Sequence, residues 1–266
     1  MHSLRPKKAL GQNFLIDQHV LSRIAAVVDV STEDHILEIG PGRGALTGLL
    51  VRNAAKVVAV ELDRDLVPML KHQFAGTPCF EVVQGDILDI DLAPLLKERW
   101  GGLWKVAANL PYNISSQILF KFLDNRELFS SFVVMLQKEV GDRLAAEPGG
   151  KEYGILSVLF RLHYDVRKEF TVKPGSFFPV PRVDSVILKF STLAEARVDV
   201  GDEMFFRRVV KGAFSQRRKT LLNCLKAAGF CQDESLLVKA GIDPLRRGET
   251  LSLDEFARLS RTLQGL

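Results

Sequence analysis

The chain is short of several things, and each shortage removes a class of function. Only 3 of its 266 residues are cysteine. Cys79, Cys224 and Cys231 are scattered, odd in number and form no CxxC pair, so neither a disulfide framework nor a cysteine zinc site is expected. The 5 histidines, His2, His19, His35, His72 and His163, have no metal-ligand spacing, so no metal is expected either. No apolar run is long enough to cross a bilayer, and the basic stretch from Met1 to Leu10 lacks the apolar centre of a signal peptide. These shortages fit a cytoplasmic chain that stays off the membrane; the chain is also expected to be a monomer. No internal repeat or low-complexity tract is present.

An excess of one charge is also missing from most of the chain. Residues 1–200 carry 24 basic and 24 acidic side chains, whereas residues 201–266 carry 12 and 8. The whole net charge of +4 therefore lies in the last quarter, which points to a polyanionic partner for that part.

What is present is a rhythm of strands and helices. Short apolar runs at 35–39, 56–60, 80–84, 103–108 and 132–136 read as strands, with helical spacing between them. Asp17 caps the first helix, through Val20, Leu21, Ile24 and Val28. Segments 163–172 and 184–190 alternate as a closing pair of strands. Between them Pro174, Pro179 and Pro181 stiffen a loop that presents Phe177 and Phe178. The reading is an α/β protein with a doubly wound, mostly parallel sheet. From about Val200 the pattern is helical throughout. The expected division is a larger domain over 1–198 and a small all-α domain over 199–266.

The strand ends carry the chemistry. Gly40, Gly42 and Gly44 follow the first strand of the sheet, where the lack of a Cβ lets backbone approach a ligand. Their GxGxG spacing is not the GxGxxG of dinucleotide folds, and no Walker lysine follows. Glu61 closes the next strand and can accept from ribose hydroxyls; Asp86 closes the one after and can accept from an exocyclic amine. Arg43 is the one basic side chain in the glycine turn, so a pyrophosphate is not indicated. A ribose acceptor, an adenine acceptor and a turn for a small zwitterionic tail suit S-adenosylmethionine. At the fourth strand end stand Asn109, Leu110, Pro111, Tyr112 and Asn113. Ser115 and Ser116 behind them are expected to cap a helix.

These motifs resemble those of the KsgA-type ribosomal RNA adenine dimethyltransferases. The resemblance rests on residues 11–15 (GQNFL), 38–47 (EIGPGRGALT), Glu61, Gly85-Asp86, 109–113 (NLPYN), 177–185 (FFPVPRVDS) and 214–221 (FSQRRKTL). It spans nearly the whole chain. It implies a seven-stranded class I methyltransferase sheet, a helical C-terminal domain, and a cofactor site lined by Asn13, Leu15, Gly40, Glu61, Asp86 and Asn109. Gly42, Gly44, Leu62 and Ile87 are expected to join that set. The family transfers two methyls to each of two adjacent adenosines of small-subunit (16S) ribosomal RNA, within a 30S assembly particle.

For such a reaction the 6-amino group of adenine must be improved as a nucleophile. The Asn109 side-chain oxygen and the Leu110 carbonyl are the candidate acceptors, Pro111 fixes the turn and Tyr112 stacks on the base. Phe178 is expected to cover the other face, with Phe177 as its rival. Arg207, Arg208, Lys211, Arg217, Arg218 and Lys219 are the expected RNA contacts; Arg5, Lys7, Lys8, Arg246 and Arg247 are weaker candidates. The alternatives are an adenine methyltransferase acting on large-subunit RNA or DNA, and a non-catalytic assembly or transcription factor with this fold.

Overall fold

The structure is a computed structural model that describes residues 6–7 and 10–266. In chain order it begins β1 (Phe14–Leu15), α1 (Gln18–Val28), β2 (His35–Ile39), α2 (Thr47–Leu50), β3 (Lys56–Glu61), α3 (Leu66–Gln73) and β4 (Phe80–Gln84). It continues with α4 (Leu92–Lys97), β5 (Trp104–Asn109), α5 (Ser115–Asp124), β6 (Phe129–Gln137), α6 (Lys138–Leu144), α7 (Ile155–His163) and β7 (Tyr164–Val172). It ends with β8 (Phe177–Phe178), β9 (Ser185–Thr192), α8 (Glu203–Ala213), α9 (Leu221–Ala227), α10 (Ser235–Lys239) and α11 (Leu253–Gln264).

Seven strands form one sheet in the order β4-β3-β2-β5-β6-β9-β7. β2 to β6 pair in parallel, and β9 runs antiparallel to β6. Ile36, Leu37, Val57, Val58 and Ala59 are fully buried, as expected of parallel strands covered on both faces. α1 shows how the cover is fixed. Asp17 caps it by accepting from the His19 and Val20 N–H groups, and Val20, Leu21, Ile24 and Val28 are buried. A cap is worth about 1 kcal/mol, whereas each buried aliphatic contributes about 1.5–3 kcal/mol. The apolar stripe therefore decides where the helix lies, and the cap decides where it starts.

The chain reverses direction of travel beside β2. β3 and β4 are added on one side, β5 and β6 on the other. At such a switch the connections leave adjacent strands in opposite directions and open a crevice at their carboxyl ends. Gly40 follows β2 there, and Asn109 ends β5 beside it.

Two features depart from the expected elements. Phe14–Leu15 and Phe177–Phe178 pair as a separate antiparallel ribbon, with Phe14 opposite Phe178 and Leu15 opposite Phe177. Two-residue strands carry no periodicity to read. The second departure is Ser115, which makes no cap. It is buried, and its hydroxyl donates to the Tyr112 carbonyl at 3.2 Å, so it steadies the turn before the helix instead.

By backbone contacts the chain forms two compact units. One holds the chain up to Gly141 with Arg167–Thr192; the other holds Asp142–Val166 with Leu193–Leu266. The second unit thus takes in a mid-chain segment as well as the helical module read from residue 199. Within it the Gly149 N–H donates to the Glu249 carbonyl at 2.7 Å, and the Tyr153 and Phe214 rings meet edge to face at 6.2 Å. α11 begins with a capping box between Ser252 and Glu255, and Arg246 holds both oxygens of the Glu255 carboxylate.

Candidate active site

A cavity opens at the switch point of the first unit. Asn13, Gly40, Gly42, Glu61, Leu62, Asp86, Ile87, Asn109, Leu110, Pro111 and Tyr112 share its wall. Three predicted residues are placed elsewhere. Leu15 is buried in the core and lines an adjoining cavity. Gly44 packs against α3: a Cβ there would stand 2.8 Å from the Phe74 ring, and its φ of +74° already favours glycine. Phe178 is 51% exposed on β8, while Phe177 is 1% exposed inside the core. Alternation along a strand thus separates the two aromatics: Phe177 belongs to the core and Phe178 faces solvent.

The wall is held in place by a small number of specific bonds. The Asn109 amide nitrogen donates to the Asn13 carbonyl at 3.1 Å. A carbonyl can only accept, so this bond fixes the amide's orientation and makes Oδ1 its acceptor end. The Leu110 N–H donates to the Met135 carbonyl of β6 at 3.2 Å, which continues the β5–β6 pairing past Asn109. The Tyr112 hydroxyl bonds the buried Ser185 hydroxyl at 2.7 Å, and burial pushes the Tyr112 phenol above its ordinary value despite that bond. The ring is therefore neutral and anchored at its far end.

Glu61 is buried and accepts from the Gly42 N–H at 3.0 Å and the Asp63 N–H at 2.8 Å. Burial raises its pKa, while these backbone bonds oppose the rise. The carboxylate keeps some acceptor capacity beyond these bonds. Asp86 uses one oxygen to accept from the Leu88 N–H at 2.9 Å. Among the described residues no Lys or Arg lines the cavity. Arg43 instead lies over the Phe14 ring, 4.6 Å from its centroid.

Several contributors escaped the sequence reading. Phe14 packs on the glycine turn so closely that a Cβ on Gly42 would meet its ring at 3.1 Å. Gln12 lines the cavity and donates to Asp63 at 2.8 Å, while its carbonyl accepts from the Lys7 N–H. The Lys7 ammonium bonds Asp63 and Asp65. Burial disfavours a charged Asp63, yet the bonds from Lys7 and Gln12 outweigh it and hold the carboxyl below its ordinary value. Lys7 therefore ties the N-terminal segment beside the cavity. Arg5 and Lys8 lie outside the described residues. Lys121 of α5 donates to the Leu88 and Ile90 carbonyls at 2.8 and 2.5 Å, bracing the loop that follows Asp86. A lone lysine in a helix gives no signal of that.

Glu38, behind the glycine turn, carries a strongly shifted carboxyl. It is fully enclosed, accepts from the Thr47 hydroxyl at 2.7 Å, and has its pKa raised from 4.5 to about 8 by burial, with the nearby Glu61 charge adding to the rise. Between those values the folded protein holds a proton that the unfolded chain has released. Stability is therefore lost as pH rises from 4.5 towards 8, and the loss is complete above that value. Glu38→Gln removes the titration. Its melting temperature is expected to gain on the parent by several degrees between pH 6 and pH 9 at roughly this domain size. Parallel melting curves across that range would mean the carboxyl is ionised throughout.

The expected RNA-contact residues all lie in the second unit. Arg208, Lys211, Arg217, Arg218 and Lys219 are exposed and Arg207 is half-buried. The Arg217 guanidinium donates to the Lys151 carbonyl. Arg246, a weaker candidate, is engaged by Glu255, whereas Arg247 is exposed with Glu249 at 3.9 Å. Among the described residues no group of His, Cys, Asp or Glu is placed to hold a metal, and no helix is long and apolar enough to cross a membrane.

Comparison with known proteins gives the same picture of the chain at three levels. The profile of the ribosomal RNA adenine dimethylase family matches residues 3–265. A Geobacter metallireducens protein named ribosomal RNA small subunit methyltransferase A is 62% identical, with 99% of this chain and 97% of that protein aligned. A Syntrophotalea carbinolica protein of the same name is 52% identical over 98% and 97%. Among solved structures, a dimethyladenosine transferase from Plasmodium falciparum superposes with a TM-score of 0.80 at 27% identity, covering 92% of this chain and 95% of that one. The 23S rRNA methyltransferase ErmE shares the fold, with a TM-score of 0.72 at 24% identity over 95% and 100%.

Proposed function

The chain belongs to the ribosomal RNA adenine dimethylase family, and from that premise we propose that it moves methyl groups from S-adenosylmethionine to the 6-amino groups of two adjacent adenosines in small-subunit ribosomal RNA. The work is proposed to take place in the cytoplasm, on a 30S assembly particle. The observation that carries the reading is the Asn109 amide, oriented by the Asn13 carbonyl in the same cavity as Glu61 and Asp86.

The residues present suit this cofactor. Two acids on separate strand ends offer acceptors to a ribose and an adenine, and the Gly42 backbone has no room for a side chain beside Phe14. A wall with two acids and, among the described residues, no basic side chain suits a sulfonium and its amino-acid tail and opposes a pyrophosphate. Asn13, Gly40, Gly42, Glu61, Leu62, Asp86, Ile87 and Asn109 would hold it, with Leu15 and Gly44 supporting from behind. When bound, it supplies a methyl group that an amine nitrogen can take directly.

The protein's own task is then to prepare and align the amine. The adenine amino lone pair is shared with the ring and is a poor nucleophile. Asn109 Oδ1 and the Leu110 carbonyl accept its two N–H groups and favour a pyramidal nitrogen. They also bear the positive charge that grows as the carbon–nitrogen bond forms. Pro111 limits the turn between them, and Tyr112, fixed through Ser185 and Ser115, gives the base a face to stack on. Once methylated the nitrogen is acidic and its proton passes to water, so no general base is needed. A pocket that offers acceptors still fits a singly methylated amine, which is what a second transfer requires.

Phe178 is the proposed second face. Phe178→Ala is expected to raise the KM for small subunits by about tenfold, the worth of one base–aromatic stack, with cofactor affinity unchanged. Lys121→Met should act on the other side of the reaction. Freeing the loop behind Asp86 is expected to raise the KM for cofactor by about fivefold at nearly constant kcat, the effect of losing a charged hydrogen bond that only positions a contact. A fall in kcat alone would place Lys121 elsewhere in the mechanism. The overall assignment is tested by offering labelled cofactor with unmethylated small subunits, large subunits or duplex DNA. Label confined to large subunits or DNA refutes it.

A further inference from the structure

The second unit has a concave site of its own, lined by Tyr153, Ile155, Leu156, Phe214, Gln216 and Gly248 on its floor and sides. Five cations and two carboxylates complete it: Arg143, Lys151, Arg217, Lys219 and Arg247, against Glu152 and Glu249. The opposing pairs are loose. Arg143 stands 3.8 Å from Glu152, Arg217 4.0 Å and Arg247 3.9 Å from Glu249, and all three guanidinium groups are about half exposed or more. Lys151 and Lys219 are exposed, and neither ammonium has a carboxylate partner among the described residues. The site is thus an apolar, aromatic hollow with a rim that is positive by three charges.

Tyr153 is the most deeply set aromatic of the lining. Tyr153 is 4% exposed, and its hydroxyl has no hydrogen-bond partner among the described residues. Burial pushes its pKa up to about 12, so the group is a neutral phenol that can still donate and accept. The ring itself is fixed, edge to face with Phe214, which in turn stacks on Phe256 at 5.8 Å.

We propose that this hollow binds one unpaired nucleotide of the substrate RNA, its base against Tyr153, Phe214, Ile155 and Leu156 and its phosphates against Lys151, Lys219 and Arg247. The inference rests on the reading of the protein as an RNA methyltransferase, and it adds a second nucleotide site in the helical unit. Charge complementarity chooses a polyanion, and the aromatic floor chooses one whose rings are unstacked. A duplex presents phosphates but keeps its bases inside, so single-stranded RNA is the occupant that satisfies both halves of the site.

The test uses the full chain and two exposed side chains outside the proposed methyl-transfer site. Gln216→Trp fills the hollow without changing charge, and Lys151→Glu reverses one rim charge. Methyl transfer to unmethylated small subunits and binding of a single-stranded hexanucleotide are measured, with cofactor affinity as the check on folding. The expected result is that each variant raises the KM for subunits about tenfold and weakens the hexanucleotide by a similar factor. Lys151→Glu should also flatten the salt dependence of hexanucleotide binding by about 0.7 in the log–log slope, the share of one phosphate contact on a single strand. Parent-like KM for Gln216→Trp overturns the proposal even if Lys151→Glu is impaired, because the surface would then act by charge alone. Impaired subunit use with unaltered hexanucleotide binding also overturns it and assigns the hollow to a protein partner. Failure of the parent chain to methylate any RNA sinks the broader reading instead, so the two outcomes are distinguishable.

Discussion

Asn109→Ala is expected to lower kcat for methyl transfer to small subunits by two to three orders of magnitude, the usual effect of removing one preorganised partner of developing charge. The argument is geometric. The amide has two ends, and its nitrogen is committed to the Asn13 carbonyl at 3.1 Å, so its oxygen is the end that can accept from an adenine amine. Alanine removes that acceptor and also releases Asn13. The second effect belongs to cofactor binding and the first to the chemical step. Cofactor affinity measured on the variant separates them: a change of a few fold in affinity with a large fall in kcat supports the acceptor role. A loss that resides wholly in cofactor KM would make Asn109 a support for the N-terminal segment only.

Glu61→Ala is expected to weaken S-adenosylmethionine by about a hundredfold or more. Hydrogen bonds to a charged group are worth roughly 1.5–3 kcal/mol each, and a ribose offers two donors. The loss is deepened because the Gly42 and Asp63 N–H groups, now satisfied by this carboxylate, would lose their partner. Titration calorimetry reads the affinity directly. The same measurement has a pH signature. Burial raises the Glu61 pKa, and the protonated acid has given up part of its acceptor capacity. Affinity in the parent chain should therefore fall on acidification at a higher pH than an ordinary carboxylate would produce, and Glu61→Gln should lack that fall. An identical pH profile in both would remove Glu61 from the ribose contact.

Much of this site is legible in the sequence, because it is assembled from strand ends. A buried parallel strand is a short unbroken apolar run, and the residue that ends it is marked by the first glycine, acid or amide after the run. Glu61, Asp86 and Asn109 could be placed at successive strand ends for that reason. The topological switch then brings those ends into one cavity. The helical character of residues 199–266 was legible from its apolar spacing. The Asp142–Val166 segment gave no sign of packing with it, since contacts such as Gly149 to Glu249 join residues a hundred positions apart.

By itself, then, the sequence determined the strand and helix rhythm, the acids at the strand ends and the absence of a phosphate loop. All of these are local: they depend on side-chain period and on which residue follows an apolar run. Only the tertiary structure decided the roles that depend on facing. Phe177 and Phe178 are neighbours of one chemistry, and the two-residue pairing with Phe14 and Leu15 sends one into the core and leaves the other in solvent. Lys7 and Lys121 are ordinary lysines until the fold sets them against Asp63 and against the Leu88 and Ile90 carbonyls. The orientation of the Asn109 amide came from the Asn13 carbonyl, 96 positions earlier in the chain. A hydrogen bond or packed ring across such a span has no local pattern, because its partner is chosen by the whole fold.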